Sequence, residues 1–219
     1  MIEHIQAVIF DIDGTLVDSM GVWHEIDIEY FGLLGIPMPP TLQKDIEGMS
    51  FTETACYFKE TFQLAEKTVD DIKLDWIRMA HEKYLYEIKA KPGAKEYMKY
   101  LKDQGIKIGV ATSNDKTLAK AALEAHGFAN KVDSIRTACE VNKGKPAPDI
   151  YLLACKELNI EPSEAFAVED SYNGIRSAAA AGLKTIMIPD MQPFNEEMEN
   201  LVYGCYDSLI EFKEYLQTI

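Results

Sequence analysis

The sequence predicts an α/β protein: a Rossmann-like, doubly wound parallel sheet interrupted by an all-helical insertion. Three observations carry this. Short apolar runs alternate with helical periodicity from residue 91 onward, which implies parallel strands with helices on both faces. Ile5, Ala7, Val8, Ile9 and Phe10 form a run like those later ones, apolar without alternation, as a strand buried on both faces reads. Between them, residues 17–90 carry helical periodicity and no strand-like alternation. The division that follows is a core of residues 1–16 and 91–219 with a helical domain of residues 17–90 set into it.

The first run leads straight into Asp11-Ile12-Asp13-Gly14-Thr15. Gly14 lets the backbone turn sharply. Side chains alternate along an extended chain, so the two carboxylates can share a side at the strand's end. A calcium loop counted from Asp11 would need Gly at its sixth position and Glu at its twelfth. Those positions hold Leu16 and Val22.

Within the insertion, Val22, Ile26, Tyr30, Leu33 and Leu34 recur at helical steps, with Ser19 as N-cap and Gly35 as terminator. Pro37, Pro39 and Pro40 forbid continuation. Ser50-Phe-Thr-Glu53 is a capping box opening a helix to about Phe62. Ile72, Trp76, Ala80, Tyr84 and Ile88 form the apolar stripe of a third helix, Asp70 to Ile88.

Lys91-Pro-Gly93 marks the return. Helices are expected over Ala94–Gln104, Asp115–His126, Pro148–Leu158, Gly174–Ala181 and Asp207–Leu216, the last with Ser208 and Glu211 as its capping box. Gly105, Gly127 and Gly182 stop three of them. Strands are expected over Ile106–Ala111, Val132–Arg136, Ala165–Val168 and Lys184–Ile188.

Composition narrows the partners. The chain has 219 residues, 47% of them hydrophobic, enough for a substantial core. The net charge of −14 argues against nucleic acid and anionic membranes, which need clustered basic residues. The four cysteines, Cys56, Cys139, Cys155 and Cys205, are scattered and form no metal or redox motif; they read as core thiols. No secretory signal and no membrane-length apolar run is evident, so the expected location is cytoplasmic.

Open parallel sheets bind ligands beyond the carboxyl ends of their strands. Asp11 and Asp13 follow the first strand, and Thr112, Ser113 and Asn114 the second. Lys145 lies in a loop beyond the third. Glu169 and Asp170 follow the fourth. Four carboxylates on one rim need a cation, and hard oxygen ligands suit Mg²⁺. Lys145, the hydroxyls and the amides opening the helix after Asn114 suit a phosphate dianion. An Asp can attack phosphorus, and a second carboxylate can pass the proton.

In these motifs the chain resembles the haloacid dehalogenase-like superfamily of hydrolases, in its branch of β-phosphoglucomutase-like phosphatases with a helical cap. The matching stretches are Asp11-Ile-Asp13-Gly-Thr15, Thr112 closing Ile-Gly-Val-Ala-Thr, Lys145 in Lys-Pro-Ala-Pro-Asp149, and Glu169-Asp170 in Val-Glu-Asp-Ser-Tyr-Asn-Gly174. The resemblance implies Asp11 as nucleophile and Asp13 as general acid/base, with Thr112 and Lys145 also catalytic, binding the transferring phosphoryl group. It places Gly14, Thr15, Ser113 and Asn114 around the phosphate. It implies Mg²⁺ on the Asp11 carboxylate, the Asp13 carbonyl and Asp170, with Glu169 nearby or ligating. Residues 17–90 become the cap that selects the substrate, a small phosphorylated metabolite, and the protein a monomer or weak dimer.

Phosphatase is the first reading, a β-phosphoglucomutase-type phosphosugar mutase the second, and a non-catalytic phosphate-binding protein the third. Mutases of this branch carry a His soon after the nucleophile loop. Here Trp23 holds that place with His24 beside it, and Phe51 stands where they carry a cap Arg. Trp23 and Phe51 are either cleft aromatics favouring a less polar substrate or cap core. Dehalogenase chemistry is disfavoured, because it has no use for Asp13.

Overall fold

A computed structural model describes residues 5–46 and 49–218. The ends of the expected core, residues 1–4 and 219, lie outside the described residues. A six-stranded parallel sheet runs in the order β5-β4-β1-β6-β7-β8. Its strands are β1 (Ala7–Phe10), β4 (Lys107–Thr112), β5 (Ser134–Thr137), β6 (Ala165–Glu169), β7 (Lys184–Met187) and β8 (Gly204–Cys205). The edge strand β8 has two residues and carries no sequence periodicity that could predict it. β5 starts two residues later than the apolar pattern, at Ser134 rather than Val132.

β1 is buried along its whole length, as its unbroken apolar run requires. Val8 and Phe10 join one apolar layer. Ala7 and Ile9 join the other, with Ile150, Tyr151 and Ala154 of α7 (Asp149–Leu158). The remaining sheet helices are α5 (Ala94–Asp103), α6 (Lys116–Ala125), α8 (Tyr172–Ala180) and α9 (Leu209–Thr218). The cap of α9 differs in detail from the expected box. Ser208 Oγ accepts from Glu211 N, but the Glu211 carboxylate accepts from Asp207 N.

Between β1 and β4 the chain makes α1 (Met20–Leu34), α2 (Leu42–Asp45), α3 (Phe51–Thr61) and α4 (Val69–Tyr86). The Ser50–Glu53 capping box of α3 is present in both directions. α4 opens on a second box, Thr68 with Asp71, one residue before the start expected from its apolar stripe. The stretch expected to be free of strands is closed by two. β2 (Val17–Asp18) pairs antiparallel with β3 (Lys89–Ala90), so the chain leaves and re-enters the sheet domain side by side. Two-residue strands have no periodicity to read.

Phe51 is cap core: its ring packs edge-on against Trp76 at 5.5 Å and Trp23 at 5.9 Å. The α4 stripe faces inward, with Ile72, Trp76, Ala80 and Tyr84 buried, and α4 lies along α6 of the sheet domain. Of the four thiols, only Cys155 is buried; Cys139 and Cys205 are exposed, so the core reading fails for them. Among the described residues no helix is long and apolar enough to cross a membrane.

Candidate active site

The central strand ends at Phe10, and Asp11 follows with its amide bonded to Val168 O of the neighbouring β6. That neighbour ends in Glu169 and Asp170. Parallel register thus puts three acids at one rim, and Asp11, Glu169 and Asp170 offer carboxylate oxygens within 4.8 Å of one another. All three are buried, as is Lys145, which arrives from the loop before α7.

The Lys145 ammonium donates to Asp11 Oδ1 at 2.7 Å and to Glu169 Oε1 at 2.5 Å. Tyr151, on the first turn of α7, donates to the same Glu169 oxygen at 2.5 Å. Thr15 Oγ1 donates to Asp170 Oδ1 at 3.2 Å. Two glycines leave room for these carboxylates. Gly14 sits at φ +84°, where a Cβ would stand 2.2 Å from Asp170 Oδ2. A Cβ on Gly174 would stand 2.0 Å from Glu169 Oε2. Both glycines are therefore steric necessities; Gly14 also forms the turn, whereas Gly174 lies inside α8.

One ammonium does not balance three buried carboxylates. Burial pushes the Asp11 carboxyl up to about 7; Lys145 pulls against this, and Glu169 and Asp13 add to it. Burial first, then Asp11 and Glu169, pushes Asp170 well above the usual carboxylate range. Burial alone would lower the Lys145 ammonium, but Asp11 and Glu169 outweigh it and hold it charged. The oxygen-only donor set and its excess of negative charge fit a hard divalent cation.

Asp13 is not part of that acidic cluster. Ser19 Oγ donates to its Oδ1 at 2.6 Å, Tyr84 OH donates to the same oxygen, and Asn114 Nδ2 donates to Oδ2 at 2.9 Å. Ser19 does stand at the start of α1, but its side chain makes no cap bond; the hydroxyl is committed to Asp13 instead. Thr112, at the end of β4, is buried and accepts from Asn114 N at 3.1 Å. Ser113 lies half-buried on the turn between β4 and α6.

Sequence reasoning missed Tyr84, Tyr151 and the role of Ser19. Tyr84 was legible only as one member of an apolar stripe. Its hydroxyl was the signal available, since a buried phenol needs a partner.

The family model for haloacid dehalogenase-like hydrolases matches residues 5–182. A Bacillus subtilis (strain 168) protein provisionally named as the phosphatase YhcW is 33% identical over 94% of this chain and 91% of its own length. The phosphorylated carbohydrates phosphatase of Thermotoga maritima is 28% identical, over 83% of this chain and 84% of its own. The crystal structure of CbbY from Rhodobacter sphaeroides, in complex with phosphate, superposes with a TM-score of 0.83 at 28% identity. That match covers 95% of this chain and 96% of CbbY. The chain belongs to the haloacid dehalogenase-like hydrolases and is a phosphatase.

Proposed function

We propose that this haloacid dehalogenase-like phosphatase hydrolyses a small phosphorylated metabolite, a phosphomonoester of the sugar-phosphate kind, through an aspartyl-phosphate on Asp11. The observation that carries the reading is the Lys145 ammonium shared between Asp11 and Glu169, with Asp170 in the same buried pocket. Two relatives point to the substrate class: the carbohydrate-phosphate phosphatase above, and a CbbY mutant whose crystal structure holds xylulose-(1,5)bisphosphate.

In this reading the Asp11 and Asp170 carboxylates and the Asp13 carbonyl would hold Mg²⁺, with Glu169 beside them, and the ion would supply neutralisation of charge on the phosphoryl oxygens. An Asp11 oxygen attacks phosphorus while the ester P–O bond breaks, and the leaving oxygen takes a proton from Asp13. Water then attacks the same phosphorus, gives a proton to Asp13 and releases Asp11. Lys145, Thr112 and Ser113 steady the transferring group, with Gly14, Thr15 and Asn114 shaping the loops around it. Residues 17–90 act as the cap and residues 1–16 with 91–219 as the core. Asp11, Lys145, Glu169 and Asp170 are buried, and Ser50 of α3 lies against Gly144 beside Lys145, so the cap opens to admit substrate.

Trp23 supports hydrolysis over phosphosugar isomerisation. At the place of the mutases' His it offers a ring N–H already committed to Tyr84 at 2.9 Å. The test is phosphate release, with Mg²⁺, from a panel of phosphorylated metabolites by wild type and Asp11→Asn. Release by wild type and none by the variant is expected. Equal rates reject the reading, and conversion of β-glucose 1-phosphate to glucose 6-phosphate faster than hydrolysis replaces it with the mutase.

A further inference from the structure

Tyr84 belongs to no motif, yet its hydroxyl sits at a junction. Trp23 Nε1 donates to it at 2.9 Å and Asn114 Nδ2 at 2.8 Å, and it donates to Asp13 Oδ1. A phenol has one proton and two lone pairs to offer. An indole N–H can only donate. The Asn114 amide is fixed with its NH₂ toward the junction, because its Oδ1 accepts from Asp115 N at 2.7 Å. Both lone pairs are thus taken, and the one proton left points at Asp13.

The three contributors come from different parts of the fold. Tyr84 ends α4 and Trp23 begins α1, both in the helical insertion, whereas Asn114 sits on the sheet rim after β4. Lifting α4 from the rim breaks the bonds from Tyr84 to Asp13 and from Asn114 to Tyr84 together. Ser19, six residues from Asp13 in the chain, can stay with it.

We propose that Tyr84 is a positioning residue. Its hydroxyl, oriented by Trp23 and Asn114, aims the Asp13 carboxyl only while the helical insertion is shut on the sheet, so proton transfer through Asp13 is coupled to closure. This rests on the reading of Asp13 as the proton donor, and the experiment separates the two.

Phenyl phosphate releases a basic phenoxide that needs a proton; 2,4-dinitrophenyl phosphate releases an anion that does not. Their kcat/KM values with Mg²⁺ report transfer to the enzyme. Asp13→Asn is expected to lower kcat/KM for phenyl phosphate by about a hundredfold or more and for the dinitrophenyl ester far less. Tyr84→Phe keeps the buried ring and removes the hydroxyl. It is expected to lower the phenyl ester about tenfold and the dinitrophenyl ester within about twofold, through kcat more than KM. Trp23→Phe should give the same pattern, weaker, and decides the matter if Tyr84→Phe shows no cooperative unfolding transition. If Asp13→Asn discriminates between the esters but Tyr84→Phe and Trp23→Phe do not, Tyr84 is structural only and the proposal is overturned. If Asp13→Asn fails to discriminate, Asp13 is not the donor and the proposal falls with that reading.

Discussion

Gly14 leaves the space that Asp170 fills: a Cβ on residue 14 would stand 2.2 Å from Asp170 Oδ2. The two residues are far apart in the chain, yet one is a condition of the other. Gly14→Ala meets both this overlap and a left-handed φ of +84°. The strain is expected to cost about 1–3 kcal/mol in chemical denaturation. Displacing Asp170 should cut phosphate release about a hundredfold. A variant with wild-type stability and turnover would show that this close approach does not matter.

Charge balance gives the second expectation. Three buried carboxylates share one ammonium, so a divalent cation that binds the folded chain should stabilise it. After chelation, Mg²⁺ at a hundred times its dissociation constant should add about 2.7 kcal/mol to unfolding, read by calorimetry. Asp170→Asn removes one of the carboxylates proposed to hold the ion and should abolish most of that gain without any appeal to turnover. An undiminished gain in the variant would place the ion elsewhere.

The third concerns a buried acid outside the site. Asp27 of α1 is 7% exposed and accepts from Gln43 Nε2 at 2.7 Å. Burial pushes its carboxyl from the ordinary 3.8 up to about 6, against the Gln43 bond and His24. The folded state therefore binds a proton that the unfolded chain does not between those two values, and this group's contribution to stability rises as pH falls from about 6 to about 4. Above pH 6 the buried charge costs at most about 3 kcal/mol. Asp27→Asn should raise the melting temperature at pH 7.5 and lose that advantage near pH 4. An advantage independent of pH would trace the effect to something other than the charge.

Much of the architecture could be read along the chain. β1 is legible because a strand buried on both faces must be apolar at every position from Ala7 to Phe10. The Ser50–Glu53 box is legible because capping is local. β2, β3 and β8, at two residues each, exist only through their partners, so no periodicity could announce them. Ser19 shows the opposite failure. Its local pattern says helix cap, and tertiary contact with Asp13 takes the hydroxyl away.

Taken alone, the order of residues determined the α/β class, the helical interruption and the acids, hydroxyls and lysine available at the strand ends, because secondary-structure periodicity and motif spacing are properties of neighbours along the chain. Only the folded chain decided which of them meet. Lys145 lies 134 residues from Asp11, and Tyr84 71 residues from Asp13. Parallel pairing of β1 with β6, and α4 laid along α6, close those separations, and no local pattern encodes the distance between two side chains that far apart in sequence.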